Sequence, residues 1–254
     1  MGVGGTTAGG VALRAQGLRV RAGIRYHTQD SVHIILLGPP GSGKGTQAIR
    51  IADRYGIPHI STGHILREAA RSGTELGRRV GATIAAGSLV SDDLITDIVR
   101  ARLHERDAAS GALLDGYPRT IAQAVALDAM VPQDGVIVLL LRVHEEEIVR
   151  RMRRRRVCQS CGITQTVPDA DAAEAGHCPR CGDPLVRRED DDPDIVRRRL
   201  RTYAALADPL IAFYKDRRCY AAVDGLQPPE QVTTALFSHI ARIRGDGAPP
   251  PADD

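Results

Sequence analysis

The 254 residues carry 34 Lys and Arg against 31 Asp and Glu, with 43% hydrophobic residues and no Trp. That balance excludes a disordered or fibrous chain, and no apolar run reaches the roughly 20 residues that span a bilayer, so a soluble, intracellular protein is expected. The length suits one sizeable domain with inserted parts, and a net charge of +3 does not by itself argue for nucleic acid or a membrane surface.

In chain order, residues 1–31 are rich in Gly and Ala, with Arg14, Arg19, Arg21 and Arg25 and no acid before Asp30. They read as a loose arm; an Arg-rich, acid-poor leader and a mis-assigned start are the alternatives. Short apolar runs then alternate with helical patterns. Strands are expected at 32–37, 59–61, 112–115, 136–141 and 220–223, and helices at 44–55, 92–106, 121–130, 145–154, 195–214 and 229–242. The runs at 32 and 136 are apolar on both faces, as strands covered from both sides must be. Strand and helix in repetition argue for an α/β fold with a parallel sheet and right-handed crossovers. Two stretches break the alternation: 62–90 reads as short helices, and 157–187 is rich in Cys, Gly, Pro and acids. Both are taken as insertions above the carboxyl ends of the strands, where open α/β sheets bind ligands. The tail 244–254, RGDGAPPPADD, has nothing to pack, so folded structure is expected to stop near Ile243.

Residues 38–46 read GPPGSGKGT, straight after a strand and straight before a helix. In that context glycine spacing becomes a phosphate cradle. Gly41, Gly43 and Gly45 would allow successive N–H groups, with that of Ser42 between them, to turn inward on an anion. Lys44 is one of only two lysines among the 34 basic residues, and here a mobile point charge serves where an arginine fork would be bulkier. Gly45 follows the lysine where many phosphate loops carry a hydroxyl, which appears one residue later as Thr46. Cys158 and Cys161 form one Cys-x2-Cys pair and Cys178 and Cys181 another, each followed by glycine, sixteen residues apart. That spacing predicts a tetrahedral zinc site, with two disulfides as the alternative. Cys219 is left as a small apolar filler.

HISTGHILR at 59–67 and DGYPRT at 115–120 complete an ordered set with the phosphate loop. Over about residues 32–243 the chain resembles the adenylate kinases of the long-lid type. The resemblance implies a P-loop, five-stranded parallel sheet flanked by helices, with a helical monophosphate-binding insertion at 61–90 and a zinc-ribbon-like lid at 155–190. It implies the reaction ATP + AMP to two ADP, Mg²⁺ travelling with ATP, a structural Zn²⁺ on the four cysteines, and a cytoplasmic monomer. Carried over by motif, Thr62, Arg67, Gly116, Arg119 and Gln123 match the AMP contacts, with Ser88, Leu89 and Val90 along the adenine. Arg151, Arg155, Arg188 and Arg199 match the arginines that close on the two nucleotides, Asp190 and Asp191 the carboxylates that pair with them, and Gln227 the place where backbone reads the ATP base. The aromatic often found over that base is Gln165 here.

One position departs from the pattern: His64 stands where the family carries an acid that, with the one matching Asp115, holds the water shell of Mg²⁺. A histidine cannot copy that role. Three other readings remain: a kinase for another monophosphate or with GTP as donor, a nucleotide-binding paralogue of low activity, and a zinc-ribbon protein that tracks nucleic-acid phosphates. The last leaves the three nucleotide motifs unexplained, so neither nucleic acid nor membrane is an expected partner.

Overall fold

The computed structural model describes residues 31–132, 135–168 and 176–245; the arm up to residue 30, the tail from 246 and the middle of the expected lid lie outside the described residues. Strand β1, Val32–Leu37, is buried at all six positions, which explains a run that is apolar everywhere except His33. Helix α1, Lys44–Tyr55, leads to β2, His59–Ser61. Strands β3, Gly111–Asp115, β4, Val136–Arg142, and β8, Tyr220–Asp224, complete a five-stranded sheet of order β2-β3-β1-β4-β8, in which every pairing is parallel. The winding reverses on either side of β1, so a crevice opens above its carboxyl end.

Two apolar layers cover the sheet. On one face α1 and α8, Pro229–Arg244, pack Ala48, Ile51, Leu236 and Ile240 against Ile34, Leu36, Ile137 and Leu139. On the other, α4, Asp92–Leu103, α5, Ile121–Asp128, and α7, Pro193–Lys215, bring Ile95, Val99, Leu127 and Leu210 onto Ile35, Val138 and Leu140. Each buried Ile or Leu contributes roughly 1.5–3 kcal/mol by leaving water.

The helices expected at 44–55 and 145–154 have those bounds, and the others survive with shifted ends. The one read as 92–106 stops at Leu103, and Arg106–Ala108 forms a separate 3-10 turn, with Arg102 holding both oxygens of Asp107 at 2.8 and 2.7 Å. The pattern read as 121–130 is helical only to Asp128. Helix α7 begins at Pro193 because the Asp192 carboxylate accepts from the Asp194 N–H at 2.9 Å and a proline suits the first turn.

After β2 come the two helices of the first insertion, α2, Thr62–Arg71, and α3, Glu75–Ala85. Helix α6, Glu145–Arg154, leads into the second, whose strands were not foreseen: β5, Arg155–Cys158, β6, Thr164–Thr166, and β7, Leu185–Val186, form an antiparallel sheet of order β6-β5-β7. Strands this short give no period to read.

At the far end of β1, His33 is 6% exposed and its Nδ1 has no hydrogen-bond partner. Burial pushes its pKa below the ordinary 6.5. The native state therefore binds fewer protons than the unfolded chain below that value, so stability present above pH 6.5 drains as pH falls. His33→Leu should flatten the acid limb of the melting temperature against pH; an unchanged limb would remove His33 as its cause.

Candidate active site

The loop after β1 has the backbone that its glycines permit. Gly38, Gly41 and Gly43 have φ of 143°, 80° and 98°, and a Cβ on Gly41 would stand 2.9 Å from Met152 Sδ. Gly45 differs from the sequence expectation: it lies inside α1 without a positive φ, and a Cβ there would meet nothing within 4 Å. Its smallness leaves room beside the loop rather than freeing the backbone. Gly43 caps α1 with no side-chain acceptor, so the helix's first N–H groups stay free for an anion. Ser42 is buried, and Thr46 sits exposed in the first turn.

Lys44 Nζ donates to the carbonyls of Gly38 and Pro39, both at 2.7 Å. Burial pushes its pKa down to about 8; Asp115 works against this, while Arg119, Arg199 and Arg155 add to it. Burial likewise pushes Arg119 down to about 10, aided by Arg199 and Arg67, and Arg188 to about 9, aided by Arg155 and Arg67. Arg67 and Arg199 are lowered for the same reason, desolvation first. The expected cations from α2, the β3–α5 loop, the lid and α7 thus surround one volume.

Two carboxylates steer this charge. Arg155 makes a two-pronged pair with the buried Asp191, its Nε at 2.7 Å from Oδ2, and Arg199 Nη1 reaches Asp190 Oδ2 at 2.9 Å. Arg188 donates to Thr164 Oγ1 at 3.1 Å. Arg151 lies apart, donating to Gly225 O at 2.8 Å while Glu147 holds its Nε at 2.6 Å. Glu147, unremarked in the sequence although the i, i+4 spacing was there, is pulled down to about 2 by its bond from Arg150 first and by Arg151.

On the side of the first insertion, Thr62 Oγ1 donates to Gly116 O at 3.0 Å, and Arg119 Nε donates to the same oxygen at 2.8 Å. Gly116 has φ 86°, and a Cβ there would lie 2.8 Å from Thr62 Oγ1. Ser88 is exposed, and Leu89 and Val90 are half-buried. Gln123 is buried with both ends of its amide engaged, to Arg119 N and to Asp92, a residue no motif marked. Asp115 meets His59 Nε2 at 3.3 Å and Ser61 Oγ at 3.4 Å. Burial would raise its pKa, but the His59 bond and the charge of Lys44 outweigh that and keep it low.

His64 is half exposed, its Nε2 3.7 Å from Glu68, and a Cβ on Gly162 of the lid would stand 3.6 Å from its ring. Burial lowers its pKa, with Arg67, Arg71 and His59 lowering it further against Glu68, which favours the neutral ring.

In the lid the four cysteine sulfurs lie within 4.8 Å of one another, with Cys158 and Cys181 at 3.4 Å and Cys161 and Cys178 at 3.4 Å. No disulfide joins them, and four sulfurs converging on one point favour a metal over two separate disulfides. The turns of both pairs close alike: Gly162 N–H donates to Cys158 O at 3.0 Å and Gly182 N–H to Cys178 O at 2.8 Å. A four-sulfur cluster with tetrahedral reach suits zinc and offers no fifth position. Gln165 stands opposite Arg156 in the lid sheet, and Gln227 Nε2 is taken by Asp224 at 2.9 Å. No helix of the described residues is long and apolar enough to cross a membrane.

Residues 36–219 match the family model described as adenylate kinase. Relatives named adenylate kinase include those of Symbiobacterium thermophilum, 47% identical over 84% of this chain and 100% of the relative, and Fervidobacterium nodosum, 44% identical over 82% and 96%. That of Archaeoglobus fulgidus is 42% identical over 84% of this chain and 100% of the relative.

A bound polyanion should restore the Lys44 proton. Below about pH 8 the ammonium is already charged and binding takes up no proton there; above it, binding must take one up and weakens, by at most about tenfold per pH unit. Calorimetry with inorganic triphosphate from pH 7 to 9.5, in two buffers of different ionisation enthalpy, should show that onset; affinity that is flat across pH 8 would contradict it.

Proposed function

The chain belongs to the adenylate kinase family and is a nucleoside monophosphate kinase, and from that premise we propose how its own residues carry ATP + AMP to two ADP. The observation that carries the reading is the cluster of Lys44, Arg67, Arg119, Arg155, Arg188 and Arg199 above the carboxyl end of β1, where burial and mutual repulsion lower the pKa of most of these cations. Such a cluster is complementary to phosphate groups that bring about as much negative charge.

In this reading the loop Gly38–Thr46, Lys44 and the free end of α1 hold the β- and γ-phosphates of ATP, and Gln227 and Arg151 lie beside its base. Thr62, Arg67, Gly116, Arg119 and Gln123, with Ser88, Leu89 and Val90, hold AMP. An oxygen of the AMP phosphate attacks the γ-phosphorus as the bond to the β–γ bridging oxygen breaks, and that oxygen leaves as part of ADP. The transition state is loose, so alignment and charge matter more than a base. Arg155 and Arg188 arrive with the lid, Arg199 reaches in from α7, and the three follow the moving phosphoryl group, while the closed lid excludes the water that would otherwise take it. Lys44→Ala should reduce ADP formation from ATP and AMP about a hundredfold or more with the fold intact. Near wild-type turnover would remove the loop from the mechanism.

Mg²⁺ with ATP fits a site that keeps an ionised Asp115 and the hydroxyls of Ser42 and Thr46, and when bound it supplies neutralising charge to the phosphates. His64 offers no anionic oxygen to its water shell. His64→Asp should raise the rate at saturating nucleotide and move half-saturation by Mg²⁺ to lower concentration. If neither changes, the histidine is harmless.

Zinc on Cys158, Cys161, Cys178 and Cys181 is part of the same reading, as a structural ion. Among the described residues the lid's apolar cluster is Leu185 and Ile163 beside the cysteines. Metal analysis should find one zinc per chain, and a strong chelator should lower the melting temperature and abolish ADP formation, with both restored by added zinc. A zinc-free chain that is fully active and equally stable would overturn it. A cytoplasmic site of action accords with thiols kept reduced for the metal, and a monomer with the family likeness.

A further inference from the structure

Gln123 is the third residue of α5, and its side chain sits in a fixed frame. Its Oε1 accepts from the Arg119 backbone N–H at 2.7 Å, and its Nε2 donates to Asp92 Oδ1 at 2.7 Å. Asp92 is itself held: its Oδ2 accepts from Thr120 Oγ1 at 2.7 Å, and that hydroxyl also accepts from the Gln123 N–H at 3.2 Å, capping α5. The residue is 3% exposed, so little water is at hand to replace a lost partner.

The two neighbours differ in what they allow. A backbone N–H only donates, and a carboxylate only accepts. Turning the amide over by half a revolution would set N–H against N–H at Arg119 and oxygen against carboxylate at Asp92, each an unmet buried group. The amide therefore has one orientation. Each end keeps one unused capacity, a second N–H on Nε2 and a second lone pair on Oε1.

This matters for a purine. Along its pairing edge adenine offers an amino donor beside a ring-nitrogen acceptor, whereas a 6-oxopurine offers a carbonyl acceptor beside a ring N–H. A glutamine free to turn over could read either; one that is locked reads one and sets like against like with the other. We propose that Asp92 is a positioning residue that locks the Gln123 amide and so selects adenine over 6-oxopurines in the monophosphate site. This rests on Gln123 facing the base, as in the proposed function.

The test compares AMP with IMP, which has the same size at the ring edge but the reversed donor and acceptor order. In Asp92→Asn, a neutral side chain able to donate or accept tolerates the turned amide, and Asp92→Ala removes the partner. Both should raise KM for AMP and lower the AMP to IMP ratio of kcat/KM by about tenfold or more, with kcat for AMP within about twofold and KM for ATP unchanged. A purely structural role would instead lower kcat and disturb ATP as well. Gln123→Ala separates the two layers. If it raises KM for AMP while both Asp92 variants keep the wild-type ratio, the lock is wrong though Gln123 reads the base. If it leaves KM for AMP unchanged, the base does not face Gln123 and both readings fall.

Discussion

Six cationic side chains share one partly desolvated crevice, with Asp115, Asp190 and Asp191 as their counter-charges. Without phosphate that arrangement opposes itself: burial disfavours every charge, and neighbouring guanidiniums disfavour one another. Arginines do not escape by losing their protons at neutral pH, so the strain stays in the site as lost stability. The group that yields is Lys44, brought to about 8. A phosphate chain reverses the balance for all of them at once, so ligand binding and the closed arrangement favour each other.

The fold answers this constraint by giving the cations separate supports. Lys44 opens α1 just after the loop that follows β1, where two carbonyls hold its ammonium, and Arg119 is on the loop after β3. Arg67 belongs to the first insertion, and Arg155 and Arg188 to the second. Asp190 and Asp191 keep Arg199 and Arg155 aimed rather than neutralised, because each takes one guanidinium and leaves the rest of the fork free.

Much of this was legible in the residues. Continuous apolar runs marked the central strands because helices cover both faces, and the glycine spacing with a lone lysine marked the phosphate loop. The cysteine pairs marked the four-sulfur cluster of the lid. What stayed hidden was long-range pairing. Strands of two to four residues in the lid are defined by their partners and by the cysteines, not by a period. His59 looked like an ordinary strand residue until β2 was laid beside β3, which brings it to Asp115. Gly45 misled because glycine spacing reports that a residue is small, not which angle it adopts. Asp92 stood only as the first residue of an expected helix, and its bond to Gln123 became visible only when α5 was packed against α4.

That double use shows how selectivity for a base can be built behind a binding surface. An amide is nearly symmetric in shape, so packing alone does not decide which end is the donor. Only partners of fixed polarity decide it, and the two least ambiguous are a backbone N–H and a carboxylate. Here they come from different elements, the N–H from the loop that also carries Arg119 and the carboxylate from the first turn of α4. The loop that carries the Arg119 guanidinium thereby also orients the Gln123 amide. On the roles proposed for Arg119 and Gln123, a displacement of that loop would loosen both together, so phosphate grip and base choice would be mechanically one property.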